Sequence, residues 1–374
     1  MGAGAECVPR AAEAVPAAAA PVKLVAFYLP QFHAIPDNDA WWGTGFTEWT
    51  NVSKALPQFE GHYQPHLPGD LGFYDLRVPE TLRRQVELAQ HYGIAGFSFY
   101  CYWFGGRKFL ELPLERYLAD PTLDLPFCLT WANESWSRRW DGKEDEVLLV
   151  QPHDPESDFR FIAYAEPYLR DPRYIRIDGR PLLIVYRAQL MARPSETTAR
   201  WREYCVQAGL GEPYLVAAQV FGMEDPRPFG FDAAVQFPPN QMMHKRYEVT
   251  ADIRPVNPEF AGRVFSYPGI VEERLSTWDR PPYPLFQTVF PSWDNQARRP
   301  GEGVAFVWSS PKEYGRWLRH AARWTIESKP PSERFVFINA WNEWAEGAHL
   351  EPDRRFGHGY LAATGEVLKT LRDL

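Results

Sequence analysis

Two glutamates near the C-terminus, Glu343 and Glu346, stand three residues apart in the run WNEWAEG (341–347). Side chains at this spacing are neighbours on a helical surface. Cleavage of a glycosidic bond needs such a pair, because one carboxyl protonates the departing oxygen while another assists at the sugar. The adjacent Trp rings could exclude water and stack on a sugar face. The pattern favours catalysis, although two acids at this spacing also occur on solvated helix faces.

The rest of the sequence gives little indication of a metal site or of a serine nucleophile. Asp37-Asn38-Asp39 has the D-x-D form with which metal-dependent glycosyltransferases hold a sugar nucleotide, but it follows Pro36 in a loop, where Asp and Asn are ordinary turn residues. The elbow motif G-x-S-x-G of serine nucleophiles does not occur. The sequence therefore predicts an enzyme without a cofactor and a site without a metal ion.

Eight short apolar runs predict the strands that must position the glutamates. Their hydrophobicity is continuous rather than alternating, which is typical of strands buried on both faces of a parallel sheet. The predicted strands are 23–29, 94–100, 126–131, 181–186, 214–220, 231–237, 285–290 and 334–340.

Amphipathic helices separate these runs. Residues 79–92 begin with Pro and Glu, carry Leu82 and Val86 at helical spacing, and end at Gly93. Similar patterns predict helices over 156–169, 195–208, 311–328 and 360–371. The alternation predicts a single (β/α)8 TIM barrel, with an open doubly wound sheet as the alternative. Asp178-Gly179 between two apolar runs predicts a hairpin turn.

Long aromatic-rich loops follow several predicted strands, and in a barrel such loops lie at the C-terminal face, where active sites are built. Glu134 follows the third strand and could pair with Glu343 across the barrel mouth. It could equally form an ion pair with Arg138 or Arg139. Glu48 either holds sugar hydroxyls or anchors its own loop. The predicted substrate-binding residues are Trp41, Trp42, Glu48, Tyr100, Trp103, Trp131, Asn133, Glu134, Trp136, Trp293, Asp294, Asn342 and Trp344.

The amino-acid composition and the net charge indicate which kind of ligand or partner the chain binds. The 374-residue chain carries 15 tryptophans and a formal net charge of −8. Trp side chains stack on sugar rings as well as filling cores. The negative charge argues against a nucleic-acid partner, because a phosphate backbone demands a basic face. No apolar run approaches the roughly 18 residues of a membrane span. We expect an oligo- or polysaccharide substrate.

The N-terminal segment bears on the domain organisation of the chain, and the cysteines bear on its cellular location. Residues 1–21 are rich in Ala and Pro, lack the features of a signal peptide, and are expected to form a disordered tail before one catalytic domain over 22–374. Cys101 and Cys128 lie in or beside apolar runs and are expected to be buried free thiols. Such thiols fit a reducing compartment, so we expect a cytoplasmic protein.

Three long motifs carry a family resemblance: VAFYLPQFHAIPDNDAWWGTGFTEWTNV (25–52), LTWANESWSRRWDG (129–142) and NAWNEWAEGAHLEPD (339–353). Together they resemble the WbsX-like proteins, which belong to the broader group that resembles glycoside hydrolase family 99, the endo-α-mannosidases. The resemblance covers nearly the whole chain from about residue 22 and implies a (β/α)8 barrel.

The resemblance also implies roles for the two glutamates, since the N-E-W-x-E-G motif supplies both catalytic residues in family 99. Glu343 would deprotonate the sugar 2-hydroxyl, and Glu346 would serve the leaving group and then water. The resemblance implies a retaining reaction through a 1,2-anhydro sugar, and the family name implies endo action. Position x is Ala345 here and often His in the mannosidases, so mannose specificity does not carry over.

Many WbsX-like members occur with polysaccharide or O-antigen synthesis functions. We therefore expect a glycoside hydrolase that acts on a bacterial surface polysaccharide or a related one. A glycosyltransferase of O-antigen or lipopolysaccharide biosynthesis is the first alternative, and it would need a nucleotide-sugar pocket. A non-catalytic polysaccharide-binding barrel is the second, and it would keep the Trp residues without requiring both glutamates.

Overall fold

The continuous apolar runs of the sequence form the strands of a closed barrel. The structure is a computed structural model that describes residues 7–138, 143–277 and 280–372. In chain order its strands are β1 Lys23–Tyr28, β2 Gly96–Phe104, β3 Arg107–Phe109, β4 Phe127–Trp131, β5 Trp136–Arg138, β6 Lys143–Leu149, β7 Arg176–Ile177, β8 Arg180–Val185, β9 Tyr214–Gln219, β10 Ala233–Gln236, β11 Arg263–Ser266, β12 Leu285–Val289, β13 Trp293–Asp294, β14 Val304–Val307, β15 Phe335–Ile338, β16 Asn342–Glu343 and β17 Ala348–His349. Its α-helices are α1 Pro36–Trp42, α2 Glu48–Lys54, α3 Pro79–His91, α4 Leu112–Ala119, α5 Pro155–Leu169, α6 Pro194–Gln207, α7 Tyr267–Ser276, α8 Pro311–Ser328 and α9 Gly359–Leu371.

Eight of these strands pair in parallel in the order β1-β2-β4-β8-β9-β10-β12-β15, and β15 pairs again with β1. The sheet is closed because β1 has a barrel neighbour on both sides, which excludes the open doubly wound alternative. Every residue of β2, β4 and β9 is buried, as expected for strands covered on both faces. The single (β/α)8 barrel is confirmed, and each predicted run overlaps a barrel strand.

The predicted helices are also present, as α3, α5, α6, α8 and α9. Gly93 ends the α3 region with a φ of 80°, and an added Cβ there would lie 2.5 Å from Leu368 Cδ1. The hairpin turn is confirmed, since Asp178 and Gly179 have φ values of 50° and 79° between the antiparallel strands β7 and β8. Helices α1, α2, α4 and α7 were not predicted, because they are only 7, 7, 8 and 10 residues long and are too short to show a clear amphipathic period.

Part of the segment expected to be a disordered tail packs against the barrel. Residues 1–6 lie outside the described residues, but Val15 is only 3% exposed and its N–H donates to the His91 carbonyl oxygen at 2.8 Å. Val8 bridges Gly357, and Arg10 bonds Glu87 at 2.7 Å. The expectation fails from residue 7 onward because isolated anchors of this kind produce no periodic apolar face. Cys101 and Cys128 are buried free thiols, as expected.

The inserts at the C-terminal face build structures beyond the barrel. Strands β11, β14 and β13 form a three-stranded sheet, and β16 and β17 form a hairpin directly after β15. The inserts therefore bring the loops after β12 and β15 next to each other. Within the described ranges, no helix is both long enough and apolar enough to cross a membrane.

Candidate active site

A cavity of about 550 Å³ lies at the carboxyl ends of the barrel strands. Its walls include Leu29 just after β1, Tyr186 just after β8 and Phe237 just after β10. Glu343 and Glu346 contribute to the same walls. Because enzymes of this fold build their active sites at this end of the barrel, the cavity is the candidate active site.

A short hairpin, residues 342–349, carries both glutamates and is called the glutamate hairpin below. Asn342 pairs with His349 and Glu343 with Ala348, and a 3₁₀ turn over Trp344–Glu346 joins the two strands. A 3₁₀ turn aligns side chains three residues apart. Both carboxylates therefore reach the cavity, although the Glu343 side chain is only 7% exposed and that of Glu346 20%.

The loop after β12 fixes the position of this hairpin. Gly347 ends the 3₁₀ turn with a φ of 59°, and a Cβ at this position would lie 3.1 Å from the backbone nitrogen of Asp294. Ser292 Oγ donates a hydrogen bond to the Gly347 carbonyl oxygen. A larger residue in place of Gly347 would push the two segments apart and displace the glutamates.

Arg298, at the end of the 3₁₀ turn after β13, joins three glutamates. Its Nη2 donates to Glu343 at 3.0 Å, its Nη1 to Glu346 at 2.5 Å, and its Nε to Glu48 at 3.2 Å. Glu48 comes from the first turn of α2 and its side chain is completely buried. Charge-assisted bonds of this type fix geometry as well as charge, so Arg298 sets the positions of both cavity carboxylates.

Burial raises the pKa of all three glutamates above the ordinary value of 4.5. The charge of Glu346 raises the pKa of Glu343 further, and the charge of Glu48 raises the pKa of both, whereas Arg298 lowers all three. Three buried carboxyls that share one guanidinium do not all ionise readily, because each added negative charge is poorly solvated. The group is therefore suited to hold a proton near neutral pH.

Tyrosine hydroxyls face the same carboxylates. The charges of Glu343 and Glu346 add to burial in raising the pKa of Tyr100, and Glu343 does the same for Tyr102. Both phenols therefore remain protonated. The Tyr102 hydroxyl accepts a hydrogen bond from Gln31 Nε2 at 3.1 Å, and all three side chains line the cavity.

Four of the predicted tryptophans line the cavity, namely Trp41, Trp42, Trp136 and Trp293. Trp41 and Trp136 pack edge to face with ring centroids 6.0 Å apart. Tyr100, also predicted, lies with them. Aromatic walls beside carboxylates suit a sugar, whose ring has apolar faces and polar edges.

The other three tryptophans are buried and do not line the cavity. Trp131 stacks on Phe161 of α5 at 4.2 Å, with Trp103 packed beside it. Trp344 is 1% exposed, stacks on His349 at 3.8 Å, and donates its indole N–H to Glu351 at 2.7 Å. These residues differ from the expectation because strand and hairpin geometry turn their rings away from the cavity.

Four predicted polar residues also take positions outside the cavity walls. Asn133 bonds the backbone of Arg187, and Asn342 bonds the backbone of Leu29, so both amides tie adjacent loops together. Glu48 bonds Arg298, which belongs to the loop after β12 rather than to the loop of Glu48 itself. Asp294 points instead to a second cavity and is described below.

Glu134 lines the cavity and also forms an ion pair with Arg187 at 2.9 Å. Its negative charge contributes to the raised pKa of Glu346. The expected partner Arg139 lies outside the described residues. Both interpretations of Glu134 therefore hold in part: it has an ion-pair partner and it faces the candidate site.

Arg298 was not predicted from the sequence. Its signal is the Arg298-Arg299 pair shortly after the seventh predicted strand, in the same loop as Trp293. The D-x-D triplet begins helix α1, where Asp37 pairs with Arg107 at 3.1 Å and Asp39 accepts from the Gly45 N–H at 2.8 Å. Both aspartates thus have structural partners.

Solved structures share this architecture. A protein described as glycoside hydrolase-like aligns over 98% of this chain and 97% of its own length, with a TM-score of 0.61 and 16% identity. Two structures of the family 99 endo-α-mannosidase from Bacteroides thetaiotaomicron align over 94% of this chain and 97% of theirs, with TM-scores of 0.56 and 0.54 and identities of 14% and 15%. At these identities the likeness is one of fold.

Two sequence relatives are much more similar to this chain than the solved structures are. Proteins from two strains of Xanthomonas campestris pv. campestris, both described as uncharacterized protein WxcX, are 52% and 51% identical over 354 residues. The alignment covers 95% of this chain and 50% of each relative, so the chain spans about half the length of these relatives. The family described as Glycosyltransferase WbsX matches residues 24–364, and the chain belongs to that family.

Proposed function

We propose that this chain is a retaining glycoside hydrolase that acts on a bacterial surface polysaccharide or a related one. The observation that carries the proposal is the buried pair Glu343 and Glu346, which Arg298 holds together in an aromatic-lined cavity. Glycoside cleavage needs one carboxyl that gives a proton and one that takes a proton. A pair that shares a single proton supplies both groups at once.

The roles follow the family resemblance and fit the exposure of the two groups. Glu346, the more exposed carboxyl, protonates the leaving oxygen and later deprotonates the attacking water. Glu343, held deeper beside Tyr102, accepts the proton of the sugar 2-hydroxyl as that oxygen attacks C1. The C1–leaving-group bond breaks as the 1,2-anhydro ring closes. Water then attacks C1, the C1–O2 bond breaks, and Glu343 returns its proton to O2, with net retention. No step in this scheme uses a metal ion.

The family description favours a second candidate, a glycosyltransferase. A nucleotide-sugar donor would place two phosphates in a cavity whose described walls carry Glu134, Glu343 and Glu346. Arg298 is bonded to three glutamates, and Arg299, the other arginine of those walls, lies 3.8 Å from Glu302. These walls suit a neutral sugar better than a diphosphate, which supports hydrolysis.

The deciding experiment screens bacterial surface polysaccharides for released sugars by mass spectrometry. Wild type should release oligosaccharides, and Glu346→Gln should release far less. Glu327→Gln is the matched control, because Glu327 is 49% exposed on α8 and pairs with Arg323. Release of a nucleoside diphosphate from sugar nucleotides, with no hydrolysis, would establish the transferase instead. Binding without either reaction would indicate the non-catalytic barrel.

The cellular setting is part of the proposal. Cys101, Cys128 and Cys205 are buried free thiols, which fits the reducing cytoplasm.

A further inference from the structure

A second cavity, of about 330 Å³, lies next to the candidate active site and shares Trp293 with it. His66 and Asp353, which are 5% and 4% exposed, line this cavity, and His349, which is 1% exposed, lies beside His66. One ligand atom from each lies within 4.8 Å of the other two. We propose that these three residues bind one divalent transition-metal ion of the Zn²⁺ type and that the ion fastens the glutamate hairpin.

The hydrogen bonds of His349 aim a lone pair into the cluster. Its Nδ1 lies 3.0 Å from the Glu351 carbonyl oxygen, which can only accept, so Nδ1 carries the proton. Nε2 is then an unprotonated nitrogen, and it points at His66 Nδ1 at 3.0 Å. A backbone carbonyl that accepts from the other ring nitrogen in this way is the usual arrangement behind a metal-bound histidine.

Asp353 offers its Oδ2 on the other side of the cluster. The backbone N–H of Arg355 donates to Oδ1 at 3.0 Å, and that of Phe356 at 2.5 Å, which fixes the carboxylate plane. Oδ2 accepts from the Tyr63 hydroxyl at 3.0 Å and lies 4.0 Å from His349 Nε2. Atoms on one tetrahedral zinc ion are about 3.3 Å apart, so Oδ2 must move by roughly 0.7 Å to share an ion with the imidazole.

Ion binding requires one proton to move on the His66 ring. The proton between His66 and His349 is held on His66 Nδ1, because His349 Nε2 is the acceptor. When the ion takes both nitrogens, that proton leaves Nδ1 and the ring is protonated at Nε2 instead. The His66 ring stays neutral, and the three ligands carry one negative charge in total.

The donor set selects the class of ion. Two imidazole nitrogens and one carboxylate suit Zn²⁺ and its neighbours in the first transition row, whereas Mg²⁺ and Ca²⁺ prefer all-oxygen sites. His66 and Asp353 line the second cavity, which leaves room for a water as the fourth ligand. His62, in the same cavity, is bonded to Asp294 at 2.5 Å and is therefore not counted among the ligands.

Spacing alone did not predict this site. The ligands are an H-x-x-x-D pair in the loop after β15 and a histidine 283 residues away from it. Only the fold brings the two segments together.

The site acts on the glutamate hairpin through one residue. His349 is the β17 partner of Asn342, and its ring stacks on Trp344, the residue between the two glutamates, at 3.8 Å. An ion on His349 would therefore tie the hairpin to the loop that carries His66. None of the three ligands is bonded to Glu343 or Glu346 in the hydrogen bonds described above, so the ion has a structural task and takes no part in the chemistry.

The test measures metal rather than turnover. Protein without an affinity tag is treated with a chelator, dialysed, and titrated with Zn²⁺ by calorimetry. We expect one equivalent of zinc by elemental analysis and a melting temperature raised by about 3 °C or more at saturation. Co²⁺ should bind with the visible absorption bands of a four-coordinate nitrogen and oxygen site.

Variants locate the ion. His66→Gln and Asp353→Asn should each lose the equivalent of zinc and the shift in melting temperature. His358→Gln is the matched control, because His358 is another buried histidine paired with an aspartate, Asp70, at 2.8 Å, and it should keep both. If one ligand variant fails to fold, the other and the Co²⁺ spectrum of wild type still decide. A wild type that binds neither ion, or two folded ligand variants that retain one equivalent, would overturn the proposal without affecting the proposed hydrolysis.

Discussion

Two faces of one loop hold buried glutamates that differ in what surrounds them. On the cavity face, Glu343 and Glu346 share the charged donor Arg298 and reach the cavity. On the packed face, Glu351 is 1% exposed and accepts from Tyr74, Gln85 and Trp344 at 2.9, 2.7 and 2.7 Å. Burial raises the pKa of the carboxyls on both faces, to about 7 for Glu351.

The comparison shows that a raised pKa does not by itself identify a reacting group. Glu351 has three neutral donors around it and no opening to a substrate, so its carboxyl organises the loop. Glu343 and Glu346 have a shared charged donor, Arg298, and an opening to the cavity. The cavity face therefore differs from the packed face in two ways. Its carboxyls are open to the cavity, and they lack a complete set of neutral donors.

The largest expected effect comes from neutralising the cavity face. Glu346→Gln should lose on the order of 10²–10⁴-fold in turnover of a natural glycan, because the leaving oxygen receives no proton. The loss should be much smaller on an aryl or fluoride glycoside, whose leaving group needs no proton. Glu343→Gln should be poor on both substrates, since its proposed partner is the 2-hydroxyl. Steady-state kinetics on matched substrates measure these losses.

A sugar that lacks the 2-hydroxyl is the chemical control for this assignment, and it should not be turned over by wild type. The opposite pattern would move the second carboxylate. A fully active Glu343→Gln together with a dead Glu134→Gln would place the pair across the barrel mouth and restore an ordinary two-carboxylate mechanism.

Arg298→Gln should change the pH profile of the cavity face. The guanidinium lowers the pKa of Glu48, Glu343 and Glu346, so its removal raises all three. The acidic limb of kcat/KM reports ionisation of the base, and it should move to higher pH. Below the new limb, activity should fall about tenfold for each pH unit, because the ionised fraction of the base falls by that factor. Arg298→Lys, which keeps the charge, should shift less, and an unshifted Arg298→Gln profile would remove Arg298 from the site.

Glu351→Gln should affect stability and leave the leaving-group dependence unchanged. The amide NH₂ would face donors that now bond a carboxyl, which costs about 1–3 kcal/mol. The cost depends on pH with a defined sign. Glu351 holds its proton to about pH 7 in the folded chain and to about 4.5 when unfolded, so wild type loses stability as pH rises between these values.

The variant lacks this titration. The free energy of unfolding of wild type minus that of the variant should therefore fall by roughly 2–3 kcal/mol between pH 5 and pH 8. Urea unfolding at several pH values measures this difference. A difference that grows with pH would show that Glu351 is ionised in the folded protein at pH 5. A changed preference for activated substrates would place Glu351 on the cavity face.

The sequence predicted the barrel well because its strands are buried on both faces and therefore appear as continuous apolar runs. It predicted that Glu343 and Glu346 would lie at the mouth of the barrel and face one cavity, because both follow one strand and lie three residues apart. It did not predict that Arg298 would join them to Glu48, since these residues come from three different loops.

Tryptophan roles were predicted only in part, for a related reason. Trp293 and Trp344 stand in similar polar contexts in the sequence, yet one lines the cavity and the other is buried. The register of the glutamate hairpin decides the orientation of Trp344, and no local pattern encodes that register. The approach of His66 to His349 depends likewise on tertiary structure.

The smallest expected effect contrasts these two tryptophans. Trp293→Ala should raise KM for the glycan about tenfold with little change in kcat, because an aromatic contact contributes about 0.5–1.5 kcal/mol and serves substrate and transition state alike. Its unfolding midpoint should change little, since the ring is partly exposed. Trp344→Phe should do the reverse: the ring stays in place, the bond to Glu351 is lost, and stability falls by about 1–3 kcal/mol while KM is retained. Parallel kinetics and urea unfolding of both variants make the comparison. If Trp344→Phe raises KM and Trp293→Ala only destabilises, the roles of the two tryptophans have been assigned the wrong way round.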